Sequence, residues 1–67
     1  MKVFVIENRL GFVCLPEKIA SFSFPLTFGS LNGATQFPFK SAANKVIKKY
    51  HLKNAHIEEF EFDDLNN

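Results

Sequence analysis

Ser41-Ala42-Ala43-Asn44-Lys45-Val46-Ile47-Lys48-Lys49-Tyr50, then Lys53-Asn54, then Ala55-His56-Ile57-Glu58-Glu59-Phe60-Glu61-Phe62, is the stretch that decides the fold class. At a helical advance of about 100° per residue, Ala42, Ala43, Val46, Ile47 and Tyr50 fall in one sector and Lys45, Lys48 and Lys49 in the opposite one. That pattern predicts an amphipathic helix from 42 to 50 or 52, with one apolar stripe packed on a sheet. Ser41 is the expected N-cap, because its hydroxyl can accept from a free N–H of the first turn. Lysines near the C-terminus suit the negative end of the helix dipole. Lys53-Asn54 reads as the exit turn, where Asn tolerates the left-handed conformation. Residues 55–62 read as the closing strand, with Phe60 and Phe62 on one face and Glu59 and Glu61 on the other. Ile57 has the parity of the glutamates. Either it covers the second face, or a bulge near Glu58-Glu59 resets the alternation.

Upstream, Val3-Phe4-Val5-Ile6 is apolar on both faces and predicts a strand covered on two sides. Phe12-Val13-Cys14-Leu15 is a second apolar run. Asn8-Arg9-Leu10-Gly11 between them marks a β-hairpin, and Pro16, with no N–H to donate, ends the ladder. Residues 17–39 are less regular. Ala20, Phe22 and Phe24 alternate with Ser21 and Ser23, which suggests a short strand over 19–24 closed by Pro25. Gly29-Ser30-Leu31-Asn32-Gly33 is a loop signal. Thr35-Gln36-Phe37 is expected to pair briefly, and Pro38 keeps Phe37 out of the helix. The expected architecture is α+β: a small antiparallel or mixed sheet of three or four strands in ββ(β)αβ order, with one helix on one face. Residues 1–67 form a single domain, with 62–67 a frayed tail.

A 67-residue chain buries only about 60% of the surface its unfolded form exposes, so its stability needs explaining. Cys14 is the only cysteine, which excludes an internal disulfide. One Cys and two His cannot close a four-ligand Cys/His zinc site. Packing and self-association remain, and nine Phe among 67 residues supply the material. No apolar run is long enough for a secretory leader or a membrane span. With a lone thiol this suggests a reducing cytoplasm, of the cell itself or of a host.

The net charge of +1 conceals a segregation. Residues 1–17 are balanced, residues 18–57 carry Lys18, Lys40, Lys45, Lys48, Lys49 and Lys53 with no acid, and residues 58–67 carry Glu58, Glu59, Glu61, Asp63 and Asp64 with no base. The simplest reading is that basic helix and acidic strand lie on solvent faces and partly neutralise each other.

No constellation reads as catalytic. Glu59 and Glu61 are spaced for acid–base work but read as a solubilising strand face that protects an edge. Cys14 with His51 or His56 could pair as nucleophile and base, yet Cys14 sits inside an apolar run and reads as a small core residue. His51 reads as a residue at the helix end and His56 as half-exposed in a strand, neither as a ligand. Gly29 to Gly33 lacks the Lys-Ser/Thr of a phosphate loop. Two signals remain. Lys40, Lys45, Lys48, Lys49 and Lys53 could track a phosphate backbone with Phe37 or Phe39 stacking a base, although Arg is nearly absent and the acidic tail repels. Phe22, Phe24, Phe28, Phe37 and Phe39 exceed what so small a core hides, and leftover apolar surface marks an interface.

The run Gln36-Phe37-Pro38-Phe39-Lys40-Ser41-Ala42-Ala43 through Lys53-Asn54-Ala55-His56-Ile57-Glu58-Glu59-Phe60 resembles small proteins of phages and mobile elements, which carry a hairpin, a Phe before a Lys-rich helix, and a closing strand. The resemblance covers about 25 residues and is compositional. It implies a ββαβ layout and a mobile-element origin, and no activity. The expectation is therefore a non-enzymatic module without cofactor that binds and modulates a host or self protein, a homodimer included, through the Phe segment and the charged faces of the helix and last strand. The alternative is a small nucleic-acid-binding protein using the helix lysines.

Overall fold

The computed structural model describes residues 1–16, 18–19, 22–23 and 26–62, the two short pairs through their backbone alone. Its elements in chain order are β1 (Lys2–Asn8), β2 (Gly11–Cys14), β3 (Lys18–Ile19), β4 (Phe22–Ser23), β5 (Thr27–Gly29), a single 3-10 turn (Leu31–Gly33), α1 (Lys40–Lys49) and β6 (His56–Glu61). Strands β5-β2-β1-β6 form one sheet, paired antiparallel throughout, and β3 and β4 pair separately as a small ribbon. The fold is α+β, with one helix on a four-stranded sheet. Among the described residues no helix is long and apolar enough to cross a membrane.

The first hairpin turns through Arg9-Leu10 between the pair Asn8↔Gly11. Asn8 Oδ1 accepts the Leu10 N–H at 2.9 Å, the local side-chain turn that Asn favours. Gly11 has φ +128°, and a Cβ there would stand 2.9 Å from the backbone oxygen of Gly29. The turn and the approach of β5 thus both require glycine.

The hairpin does not stay closed. Its paired positions are Glu7↔Phe12 and Asn8↔Gly11. Beyond them residues 35–37 take over the backbone partners that a closed hairpin would supply. Phe4 and Phe37 exchange two backbone hydrogen bonds of 2.8 Å each, and the Val13 carbonyl accepts the Thr35 N–H at 3.1 Å. The Leu15 N–H donates to Thr35 Oγ1 at 2.8 Å. This wedge holds β1 and β2 apart and carries Phe37 into the core. It is the brief pairing expected at 35–37, with a larger role than the sequence indicated.

The core lies between the sheet and α1. Ile6, Val13, Phe37 and Ala43 are its buried centre, flanked by Phe4, Leu15, Leu26, Phe28, Ala42, Val46, Ile47, Leu52, Ala55 and Ile57. On the other face of the sheet Val3 and Val5 are also buried, at 6% and 0% exposure. β1 is therefore the interior, doubly covered strand that its apolar run predicted.

Two details differ from expectation, and a third decides between the alternatives left open for Ile57. Helix α1 starts at Lys40, and its N-cap is Phe39, in extended conformation and without a side-chain cap bond. Ser41 lies inside the first turn. Pro38 holds Phe37 extended, and the chain turns into the helix directly after Phe39, whose carbonyl accepts the Ala42 and Ala43 N–H groups at 3.1 and 3.4 Å. Second, Ile19 and Phe22, expected within one short strand over 19–24, face each other across the β3–β4 ribbon, and Gly29, expected to open a loop, ends strand β5, where Val13↔Phe28 sets Phe28 against the core. Third, β6 is registered against β1 without a bulge, from Lys2↔Glu61 to Glu7↔His56. Ile57 sits opposite Ile6 on the helix-bearing face, which selects the first of the two alternatives for its parity.

The helix C-terminus closes as a Schellman turn. His51 takes φ +52°, its N–H donates to the Lys48 carbonyl, and the Leu52 N–H reaches the Ile47 carbonyl at 3.0 Å. Asn54 follows at φ +57°, as expected of the exit turn.

Candidate functional site

The β6 register divides the acidic strand between two faces. Glu59 and Glu61 project with Lys2 on the helix-bearing face, beyond Ile57. There Glu59 meets Lys2 Nζ at 3.2 Å and Glu61 the N-terminal ammonium at 3.4 Å. Glu58 projects on the opposite face with His56 and Glu7. Among the described residues these ion pairs tie β6 to the N-terminus, β1 and its own His56, and none reaches a lysine of α1. The expected mutual neutralisation of helix and strand is therefore not what holds the acids.

Lys40, Lys45, Lys48, Lys49 and Lys53 are all exposed. Lys49 lies over the Tyr50 ring at 5.5 Å, a cation–π contact that uses one of the five without removing its charge. The helix therefore presents a basic face whose ammonium groups make no ion pair with a described residue.

The phenylalanine candidates separate. Phe37 is 6% exposed and belongs to the core, a correction to its expected role at the surface: its bridge to Phe4 points the ring inward. Phe28 is half-buried against the same core. Phe22 is described through its backbone, and Phe24 lies outside the described residues. Phe39 is 67% exposed. It borders a groove of about 360 Å³ lined by Met1, Lys2, Val3, Gln36, Pro38, Phe39 and Phe62. Met1 and Phe62 are exposed too, at 82% and 36%. Nothing in the sequence joined Met1 and Phe62 to Phe39. The Phe62 N–H donates to the Met1 carbonyl at 2.8 Å, extending the β1–β6 ladder, and the Phe4–Phe37 bridge brings residues 36–39 alongside.

Cys14 is half-buried and its thiol donates to the Gly33 carbonyl at 3.0 Å. β1 separates it from β6 and His56, so the two do not form a nucleophile–base pair.

At the other end of β1 and β6, His56 Nε2 stands 2.9 Å from Glu58 Oε1 and 3.1 Å from Glu7 Oε1. The hydrogen bond to Glu58 raises the His56 pKa above its ordinary value of 6.5. Loss of hydration works against this, and the charges of Glu58 and Glu7 add to it. A raised folded-state pKa gives stabilisation that is fully present below about pH 6.5 and is lost as pH rises through the folded-state value. In a pH titration followed by NMR, Glu58→Gln is expected to move the His56 midpoint down toward 6.5. An unchanged midpoint would show that Glu58 does not hold the imidazolium.

No protein-family model matches the chain, and no curated protein or solved structure matches it either.

Proposed function

We propose that the chain is a non-enzymatic interaction module that presents the Met1–Phe39–Phe62 groove to a protein partner. The observation that carries this is Phe39, an aromatic ring left 67% exposed beside an apolar groove in a chain with a small core. Burying one Phe is worth roughly 1.5–3 kcal/mol, so a covering partner gains directly from this ring. Exposed aromatic anchors beside pockets are where binding energy concentrates. The resemblance of residues 36–60 to small mobile-element proteins fits an accessory protein, acting in the cytoplasm, that binds and modulates a host protein or a second copy of itself.

The basic face of α1 favours a second reading, nucleic-acid binding. Phosphate contacts by lysine are strongly salt-dependent, which separates the two. On the primary reading, Phe39→Glu abolishes capture of the partner at physiological salt. The double variant Lys45→Glu, Lys48→Glu leaves capture intact, and neither variant changes retention on DNA or RNA at low salt. Low-salt nucleic-acid retention that the lysine variant removes would establish the second reading instead.

A further inference from the structure

We propose that Glu7, His56 and Glu58 form a surface site for a divalent transition-metal ion of the zinc class. Their three donor atoms lie within 4.8 Å of one another, and the two carboxylate oxygens converge on one imidazole nitrogen, at 2.9 and 3.1 Å from Nε2. A proton on Nε2 points along one line and serves one oxygen well. A cation on the same lone pair serves both. Zinc bonds to His nitrogen and carboxylate oxygen are about 2.0–2.2 Å long, so donors on neighbouring positions of its coordination shell stand about 3–3.5 Å apart. The two separations from Nε2 are close to this before any ion enters, and the two carboxylate oxygens lie within 4.8 Å of each other, so closing the set asks only for side-chain rotation.

The donors are placed by backbone register. Glu7 and His56 are direct cross-strand partners, and Glu58 lies two residues along β6 on the same face. Neighbouring positions on a pleated sheet hold side chains close without a loop to order, so little reorganisation opposes binding. One imidazole and two carboxylates suit zinc, and also cobalt, nickel or manganese. Two carboxylates with a neutral imidazole match the charge of a divalent ion. The side chains of His56, Glu7 and Glu58 are 55%, 32% and 35% exposed, which leaves the remaining coordination positions open to water or to a partner's donor. The site is at the end of β1 opposite the Met1–Phe39–Phe62 groove and does not depend on it.

The test is calorimetric titration of the tag-free chain with zinc alone at neutral pH, with NMR of the histidine rings. The expected result is one saturable zinc per chain and displacement of the His56 ring signals. His56→Gln should abolish binding, and Glu58→Gln should weaken it at least about tenfold, since even groups that only orient a ligand are worth 10–100-fold. His51→Gln, which removes the other histidine, should leave the affinity unchanged. Absence of saturable binding up to millimolar zinc, or equal affinity in His56→Gln, overturns the proposal. So does loss of binding in His51→Gln with His56→Gln unaffected.

Discussion

Replacing Phe37 by Ala is expected to lower stability by about 3–5 kcal/mol, while the same change at Phe39 shifts it by no more than about 0.5 kcal/mol. The two residues flank Pro38 and look alike in sequence. Phe37 is 6% exposed and Phe39 67%. Truncating Phe37 removes a ring from among Ile6, Val13 and Ala43, leaving a cavity beneath α1. The loss falls on a chain whose total stability, at 0.05–0.15 kcal/mol per residue, is only about 3–10 kcal/mol. Phe37→Ala should therefore be largely unfolded near 37 °C or melt far below wild type, and Phe39→Ala should melt with it. Urea unfolding of both variants measures the difference. Equal losses would mean that the wedge of residues 35–37 does not seat Phe37 as described.

The second large effect is at Gly11. Gly11→Ala is expected to cost roughly 2–4 kcal/mol, from backbone strain at positive φ and from overpacking. With φ +128°, any L-residue is strained, and the new Cβ would sit 2.9 Å from a backbone oxygen and 3.3 Å from a backbone nitrogen of Gly29. Neither atom belongs to a flexible side chain, so relief requires β5 to move away from β2. Gly29→Ala is the control, because a Cβ there meets nothing within 4 Å. It should be tolerated far better. A Gly11→Ala protein as stable as Gly29→Ala would refute the close approach of the hairpin turn to β5.

The helix, the doubly covered β1, the first hairpin and the closing strand were legible because each rests on a local pattern: a helical stripe, a two-sided apolar run, a turn with Asn and Gly, an alternation. What was not legible depends on pairing between distant segments. The split between Phe37 and Phe39 follows from a bridge to Phe4, thirty-three positions away in sequence. β5 is too short to announce itself, and it is a strand because β2 offers an edge. The groove joins Met1 and Phe62 across the β1–β6 ladder. The alternation of His56 and Glu58 could be seen in the sequence, but their meeting with Glu7 needs the register Glu7↔His56. Ile57 shows the limit most clearly: its parity stated the question, and only its place opposite Ile6 answered it. Ser41 misled for the opposite reason, since a good cap residue lost to the geometry imposed by Pro38.

The central functional claim is that a protein docks on the groove beside Phe39. The most direct measurement places a photo-crosslinking phenylalanine analogue at position 39, with Leu10 as control. Leu10 is 72% exposed in the hairpin turn, and it does not line the groove. The expected result, on irradiation in cells that naturally carry the gene, is a discrete protein adduct or a crosslinked dimer from position 39 and none from position 10. Identical background from both positions, or adducts made of nucleic acid, would contradict it.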